Sequence, residues 1–435
     1  MQTHILRALA VTSCLLTGLW LRAADSTNAP LPRTDANGNP LRRAATGHVS
    51  NYDEAKVGDY TLPDPLVLAD GKPVRDAKTW FQVRRPELLK IYDKEIYGAV
   101  PANAPKAIVK KVEMDTNALG GFAIHKHVEI QFGTGTNATT LPLHIYIPPN
   151  ATKPVPLLLH MVFFSNPPFA EATTNAGSTR RPSEGGPITN IFAHGYGYAT
   201  FRYTDIAPDN TNAFKSGVIA LTLKPGETKP APDQWGTISA WAWGASRMLD
   251  YLENDQAVDA KHVALIGHSR LGKTVLLAGA RDPRFALVYS SCAGEMGSSL
   301  SRRDYGETID DMAASFPYQF ASNFQKYAGH WNDMPVDAHE IIALNAPHPV
   351  FIGGGTQDQW ADPHGEFLAA VAAGPVYRLV GKKDLGATTG PEIDHPYITG
   401  DLGFHYHTGG HAITASDWNA FLDFADKYFK PAKTQ

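Results

Sequence analysis

The chain has 435 residues, 43% apolar and 19% charged, which is enough to bury a large core in one α/β unit or in two or three smaller domains. With 39 Lys+Arg against 43 Asp+Glu its formal net charge is -4. No basic stripe gathers the cations, so the electrostatic footprint of a nucleic-acid partner is excluded.

The first element is a targeting segment. MQTHILR carries Arg7, ALAVTSCLLTGLWL is an apolar run too short to span a bilayer comfortably, and Ala23 and Ala24 precede a polar stretch. Residues 1–24 therefore read as a secretory signal, which places the mature protein outside the cell or in the periplasm. Val11-Thr12-Ser13-Cys14 superficially matches a lipoprotein cleavage box, but the apolar run continues past Cys14 to Leu21, against lipidation. Removing the signal removes Cys14 and leaves Cys292 alone, so no internal disulfide is expected even in an oxidising compartment. Residues 25–78, rich in Asn, Pro, Asp and Gly, read as an extended lead-in, wrapped over the surface or partly disordered, ahead of one catalytic domain at 79–435.

WFQVRRPELLKIYDKEIYG predicts a helical stretch, and AIVKKVEM, FAIHKHVEIQF, LPLHIYI and PVPLLLHMVFF predict strands at a partly antiparallel start to a sheet. PITNIFAHGYGYATFRY reads as helix then strand, and ISAWAWGASRMLDYLEN as a helix. HVALIGHS reads as a buried strand, LGKTVLLAGA as a helix, FALVYSS and HPVFIGGG as strands, and WNAFLDFADKYF as the last helix. Strands alternating with helices predict a mainly parallel sheet covered on both faces. No repeat or further membrane-span candidate is present.

GHSRLGK, residues 267–273, falls where a strand gives way to a helix. A nucleophile elbow places a serine on that turn, exposing its hydroxyl above the sheet and aiming helix N–H groups at any negative charge that forms nearby. Ser269 occupies the position, although Leu271 stands where the second glycine of G-x-S-x-G belongs and Gly272 comes one residue later. The alternative is a serine that merely caps the helix.

The stretch Gly-x-Ser-Arg-x-Gly-Lys, together with HTGGHAITASDW near the C-terminus, resembles the glucuronoyl esterases, carbohydrate esterases of the α/β-hydrolase superfamily. The resemblance extends from about residue 106 to the last helix. It implies an α/β-hydrolase fold with an antiparallel N-terminal edge, and hydrolysis of the ester joining a glucuronate on xylan to a lignin alcohol, without cofactor or metal. The expected partners are glucuronoxylan and lignin–carbohydrate esters, met by a monomer.

A serine hydroxyl needs an imidazole to take its proton, and in this superfamily the histidine follows the acid, which follows the serine. His411 fits that order. His405, His407 and His411 are also spaced closely enough for a metal site, but no HExxH framework accompanies them. Arg270 offers a backbone N–H and a guanidinium to a developing oxyanion, the alternative being a surface salt bridge. Lys273, one helical turn beyond Ser269, faces the same way; by resemblance it holds sugar hydroxyls. The resemblance also implies that Glu307 bonds the glucuronate hydroxyls and that Trp360 lines the sugar site. An ion pair of Glu307 with Arg302 or Arg303, and ordinary packing of Trp360, are the alternatives.

The acid is where this chain departs from part of the family. Some relatives carry a glutamate at the end of the strand after the nucleophile helix, and an ungapped count from Ser269 puts Cys292 there. The strand HPVFIGGG ends at TQD, where α/β-hydrolases most often carry their acid, so Asp358 is assigned the role. Glu295 is the alternative, with Asp362 third. Other readings of the whole are a different carbohydrate or aryl esterase, such as an acetyl xylan esterase, or a non-catalytic carbohydrate-binding homologue.

Overall fold

The computed structural model describes residues 31–135, 138–164 and 185–430. The expected signal, residues 1–24, lies outside the described residues, as does the start of the lead-in.

Among the described residues nine strands form one sheet: β1 (Ala107–Asn117), β2 (Ala123–Phe132), β3 (Thr139–Ile147), β4 (Val155–Val162), β5 (Gly197–Arg202), β6 (Val258–His268), β7 (Leu287–Ser291), β8 (Val350–Gly355) and β9 (Leu402–His407). Their order is β1-β2-β3-β5-β4-β6-β7-β8-β9. Pairing is antiparallel from β1 to β5 and parallel from β5 to β9, the α/β-hydrolase arrangement with an antiparallel N-terminal edge. The parallel strands are near-continuous apolar runs because helices cover both their faces. Leu157 and Leu159 of β4 enter the larger core with helices α1 (Thr237–Leu252), α2 (Arg270–Arg281) and α3 (Pro363–Leu379). Leu158, Ala264 and Ile266 face the other way, against Trp418, Phe421 and Phe424 of α4 (Ala415–Phe429). By contrast β1 is exposed along nearly its whole length.

The helical stretch Ala77–Ile96 buries Trp80, Arg84, Leu88, Tyr92 and Ile96, one residue in four. A four-residue repeat drifts off one face of an α-helix with 3.6 residues per turn. The wider π turns at Trp80–Arg84 and Tyr92–Ile96 keep the buried residues aligned.

The sequence does not announce several elements, among them one long helix and one strand of the sheet. Helix α3 is apolar on most sides and carries Pro375, so it has no amphipathic stripe to announce it. Strand β9, LGFHYH, was read only for its histidines.

The lead-in from residue 31 onward folds into turns closed by the bridges Thr34↔Pro40, Arg43↔Val49 and Val67↔Pro73. It is fastened to the body by the Gly306 N–H on the Asn51 carbonyl (2.8 Å), the Arg303 guanidinium on Glu54 (2.6 Å) and a hydrogen bond from Thr46 to Asp310. No helix among the described residues is long and apolar enough to cross a membrane.

Candidate active site

Ser269 follows directly on β6 and caps α2 with φ 58° and ψ −129°, a conformation that costs a non-glycine residue strain and holds its side chain clear of the sheet. Two neighbouring glycines make the turn possible. A Cβ on Gly267 would lie 2.3 Å from the Leu271 carbonyl oxygen, and one on Gly272 would lie 2.9 Å from Ala293 Cβ and 3.0 Å from Ser290 Oγ. The close approach between helix and neighbouring strand therefore falls at residue 272 in this chain. Residue 271, free of that contact, is a buried core leucine, which accounts for the displaced glycine of the motif.

His411 lies four residues beyond β9 and Asp358 three beyond β8. The loops carrying them are laced together: the Thr356 N–H reaches the His407 carbonyl (2.9 Å), the Gln357 N–H the Gly409 carbonyl (2.7 Å), and the Gly409 N–H donates to Thr356 Oγ1 (3.1 Å). This sets His411 Nδ1 2.6 Å from Asp358 Oδ2, with Asp358 buried and the histidine exposed to the cleft. Glu295 is elsewhere. Its carboxylate takes the Met296 N–H (3.0 Å) and the Ser301 hydroxyl, and burial pushes it well above the ordinary carboxyl range. Asp362 caps α3 and binds Arg303 at 2.8 Å. Cys292 is a free, buried thiol at the rear of the cleft, its sulfur within 4.8 Å of a carboxylate oxygen of Asp358 and a ring nitrogen of His411. Burial and the neighbouring carboxylates raise it well above the ordinary thiol range, so it is neutral. His405 and His407 point away from this group, both toward Asp417.

Ser269, Asp358 and His411 open onto one cleft of about 390 Å³, which Arg270, Lys273, Cys292, Glu307, Phe316 and Trp360 also line. The Arg270 guanidinium crosses the Phe316 ring at 5.0 Å and pairs with Asp209. Asp209 also accepts from Tyr203 (2.8 Å), Tyr318 (3.1 Å) and Gln319 (2.8 Å), so the arginine is held by a carboxylate that is itself fixed from three sides. Lys273 is buried, donates to the Ala293 carbonyl (2.6 Å) and lies 3.6 Å from Glu307. Burial raises the Glu307 carboxyl against the opposing pull of Lys273 and a hydrogen bond from Trp360. Arg302 and Arg303 are occupied by Asp337 and Asp362, which leaves Lys273 as the cation of Glu307. All seven residues singled out for catalysis and sugar binding thus meet in one cleft.

Sequence reasoning missed several contributors, Asp209 and the lead-in among them. Asp209 sits in an Asn- and Asp-rich loop, APDNTN, whose composition signals only a turn. Gly38, Asn39, Pro40 and Arg42 of the lead-in form part of the cleft wall, with the Arg42 guanidinium 4.7 Å over the Trp360 ring. No periodicity in that segment points to it.

A carboxylate-oriented histidine beside an elbow serine is the equipment of acyl transfer, and comparison with known proteins agrees. A carbohydrate esterase from an unknown prokaryotic organism is 42% identical over 399 residues, 87% of this chain and 92% of that one. A family described as glucuronyl esterase, fungi, matches residues 184–381. The glucuronoyl esterase from Solibacter usitatus superposes with a TM-score of 0.78 at 43% identity, covering 86% of this chain and 99% of that one. An esterase of carbohydrate esterase family 15 from a marine bacterial metagenome, described as promiscuous, superposes with a TM-score of 0.78 at 42% identity, covering 87% and 99%. The chain belongs to the glucuronoyl esterases of family 15. This esterase is a carboxylic ester hydrolase, and its fold is that of its relatives.

Proposed function

We propose that this esterase, exported and acting as a monomer, cleaves the ester between glucuronate side chains of xylan and lignin alcohols through a Ser269–His411–Asp358 triad. The observation that carries the reading is the 2.6 Å His411–Asp358 bond beside the elbow serine, opposite a Lys273–Glu307–Trp360 cluster in the same cleft. Asp358 holds the Nδ1–H of His411, so Nε2 is left to take the proton of Ser269 as its oxygen attacks the ester carbon. The negative charge that forms on the carbonyl oxygen meets the first N–H groups of α2 and the Arg270 guanidinium. Collapse breaks the bond to the alcohol, which leaves with the proton from His411. Water, deprotonated by His411, then attacks the acyl-enzyme and releases the free glucuronic acid and Ser269. Water is the one co-reactant these steps need.

Lys273 and Glu307 present a donor and an acceptor for sugar hydroxyls, and Trp360 supplies an apolar edge. A site built to hydrogen-bond a sugar rejects ligands that leave those groups unpaired, which favours glucuronate esters over simple acetates. The alternative is a broader carbohydrate or aryl esterase, acetyl xylan included, and the relative described as promiscuous supports it. Hydrolysis of benzyl glucuronate against a matched acetate ester decides between them; equal kcat/KM on the two sinks the uronate reading. Labelling by a serine-directed phosphonate, absent in Ser269→Ala, separates either enzyme from a non-catalytic binding protein.

A further inference from the structure

Beneath the loop that carries His411 lies a buried polar cluster that the reaction steps do not use. His405 and His407 reach from β9 to Asp417 in the first turn of α4. His405 Nδ1 is 2.6 Å from Asp417 Oδ1, and His407 Nδ1 is 2.9 Å from Oδ2. Thr414 adds its N–H and its hydroxyl at 2.7 and 2.8 Å. Burial alone would raise the Asp417 carboxyl, but the donors from the two histidines bring it down to about 2, so it is an anion and accepts only. His407 Nδ1 must therefore carry a hydrogen. Its other nitrogen, Nε2, lies 3.0 Å from the Gly410 carbonyl oxygen, a second group that can only accept. An imidazole that donates from both nitrogens is an imidazolium.

We propose that His407 is a positioning residue, held as a buried imidazolium across neutral pH, whose Nε2–H fixes the Gly410 carbonyl and through it the ring of His411 opposite Ser269. The charge balance supports this, because one anion, Asp417, has one charge to offset, and of the two histidines on it His407 has the second acceptor. The packing supports it too: a Cβ on Gly355 would lie 2.4 Å from the Gly410 oxygen and 2.8 Å from His407 Nε2, so the β8 backbone presses the loop onto the ring. The titratable groups facing His407 are Asp417 on α4, His405 on β9, Asp358 beyond β8, Asp394 in the loop before β9 and His268 at the end of β6. The three carboxylates favour the imidazolium, and burial keeps His268 neutral. Burial by itself would lower His407, but the bond and charge of Asp417 prevail and its pKa is raised. A raised folded value means that the clamp is fully present below the ordinary imidazole range and is lost as pH rises through the His407 value. Beyond that point Nε2 turns a lone pair toward the Gly410 oxygen, and Asp417 is left without its counter-charge.

The inference rests on His411 being the base, but its first test does not. Ring-nitrogen NMR of the whole 15N-labelled chain, with the His407 signals assigned by their loss in His407→Gln, is read at the ordinary imidazole pKa of roughly 6.5. Both His407 nitrogens should be protonated there, and a neutral ring overturns the proposal whatever His411 does. If His407→Gln does not fold, the ring signals are assigned instead by through-bond correlation to the His407 backbone. The second test is kinetic. Wild-type kcat should step down at the pH where the His407 ring titrates while KM holds, and His407→Gln should lack that step and run roughly ten- to a hundredfold lower in kcat, as a displaced catalytic group does. A wild-type kcat and pH profile in His407→Gln also overturns it.

Discussion

Of the two walls of the cleft, one stands on strand ends and the other on loops. Ser269, Asp358 and His411 follow β6, β8 and β9 within four residues, and each of those strands is hydrogen-bonded into the parallel half of the sheet. Glu307, Trp360 and Arg42 belong to loops and to the lead-in, held by ion pairs such as Lys273–Glu307 and by the Arg42–Trp360 contact. A wall built on a rigid sheet fixes geometry to the precision that bond-making needs, whereas a wall built on loops can vary with the ligand. The expectation is a division of effects, with substitutions on the first wall lowering kcat and those on the second raising KM.

The largest effect should come from Asp358→Asn. An amide at His411 Nδ1 can favour the wrong tautomer, and the comparable change in a well-studied triad costs roughly ten-thousandfold in kcat. Glu295→Gln should leave kcat near wild type, since that carboxylate binds Met296 and Ser301 instead of the imidazole. The reverse pattern would move the acid to the earlier loop. Cys292 sharpens the same point, because its sulfur lies within 4.8 Å of the His411–Asp358 pair. Cys292→Glu placed in Asp358→Asn should recover part of the lost kcat; no recovery would mean that a carboxylate at this strand end cannot reach Nδ1 here.

Arg270→Ala comes next, with a loss of about a hundred- to a thousandfold in kcat, the usual cost of one oxyanion donor. Asp209→Asn separates charge from placement: the amide keeps an acceptor for Arg270 and removes the counter-charge. A kcat that falls in Asp209→Asn despite an intact fold by circular dichroism would make the placement of Arg270 depend on the Asp209 charge, while an unchanged kcat would mean that a neutral acceptor and the Phe316 contact suffice.

What could be read from the sequence follows the same division. The elbow was legible because strand, tight turn and helix announce themselves locally, and Asp358 and His411 were legible because chain order and strand ends constrain where an acid and a base can stand. Helical spacing placed Lys273 beside Ser269, but its role, together with Glu307 and Trp360, came only through family resemblance, since their meeting depends on how residues far apart in the chain fold over one another. Asp209 and Arg42 gave no signal at all. Turn-rich segments are chosen for backbone conformation, so their composition is silent on what their side chains touch. His405 and His407 drew attention as ligand-like, but their chemistry is set by Asp417, which the sequence shows only as an ordinary residue of a helix start.

Lys273 reaches the loop-built wall from α2 through its ion pair with Glu307, so Lys273→Ala should raise KM on glucuronate esters more than it lowers kcat. An unchanged KM would remove it from the binding site. Acid should imitate the lesion. Glu307 has a raised folded pKa, so its ionised form is disfavoured by the fold and it protonates at a higher pH than a free carboxyl as the medium is acidified. Once neutral it no longer balances Lys273, and KM should climb on the acid side above the ordinary carboxyl range. Glu307→Gln should abolish that climb; if it persists, another group controls acid binding.

The smallest effect belongs to Arg42. Its guanidinium lies over Trp360, and a cation–π contact at an exposed site is worth only about 0.5–1 kcal/mol. Arg42→Ala should therefore leave kcat unchanged and raise KM by roughly two- to fivefold, the equivalent of that energy. The rise should be larger for xylan-borne esters than for benzyl glucuronate, because Gly38–Arg42 stands at the cleft wall where a substrate longer than one sugar would pass. If both substrates lose equally, Arg42 acts by fixing the Trp360 indole. If neither changes, the lead-in merely covers this wall and binding is carried by Lys273, Glu307 and Trp360 alone.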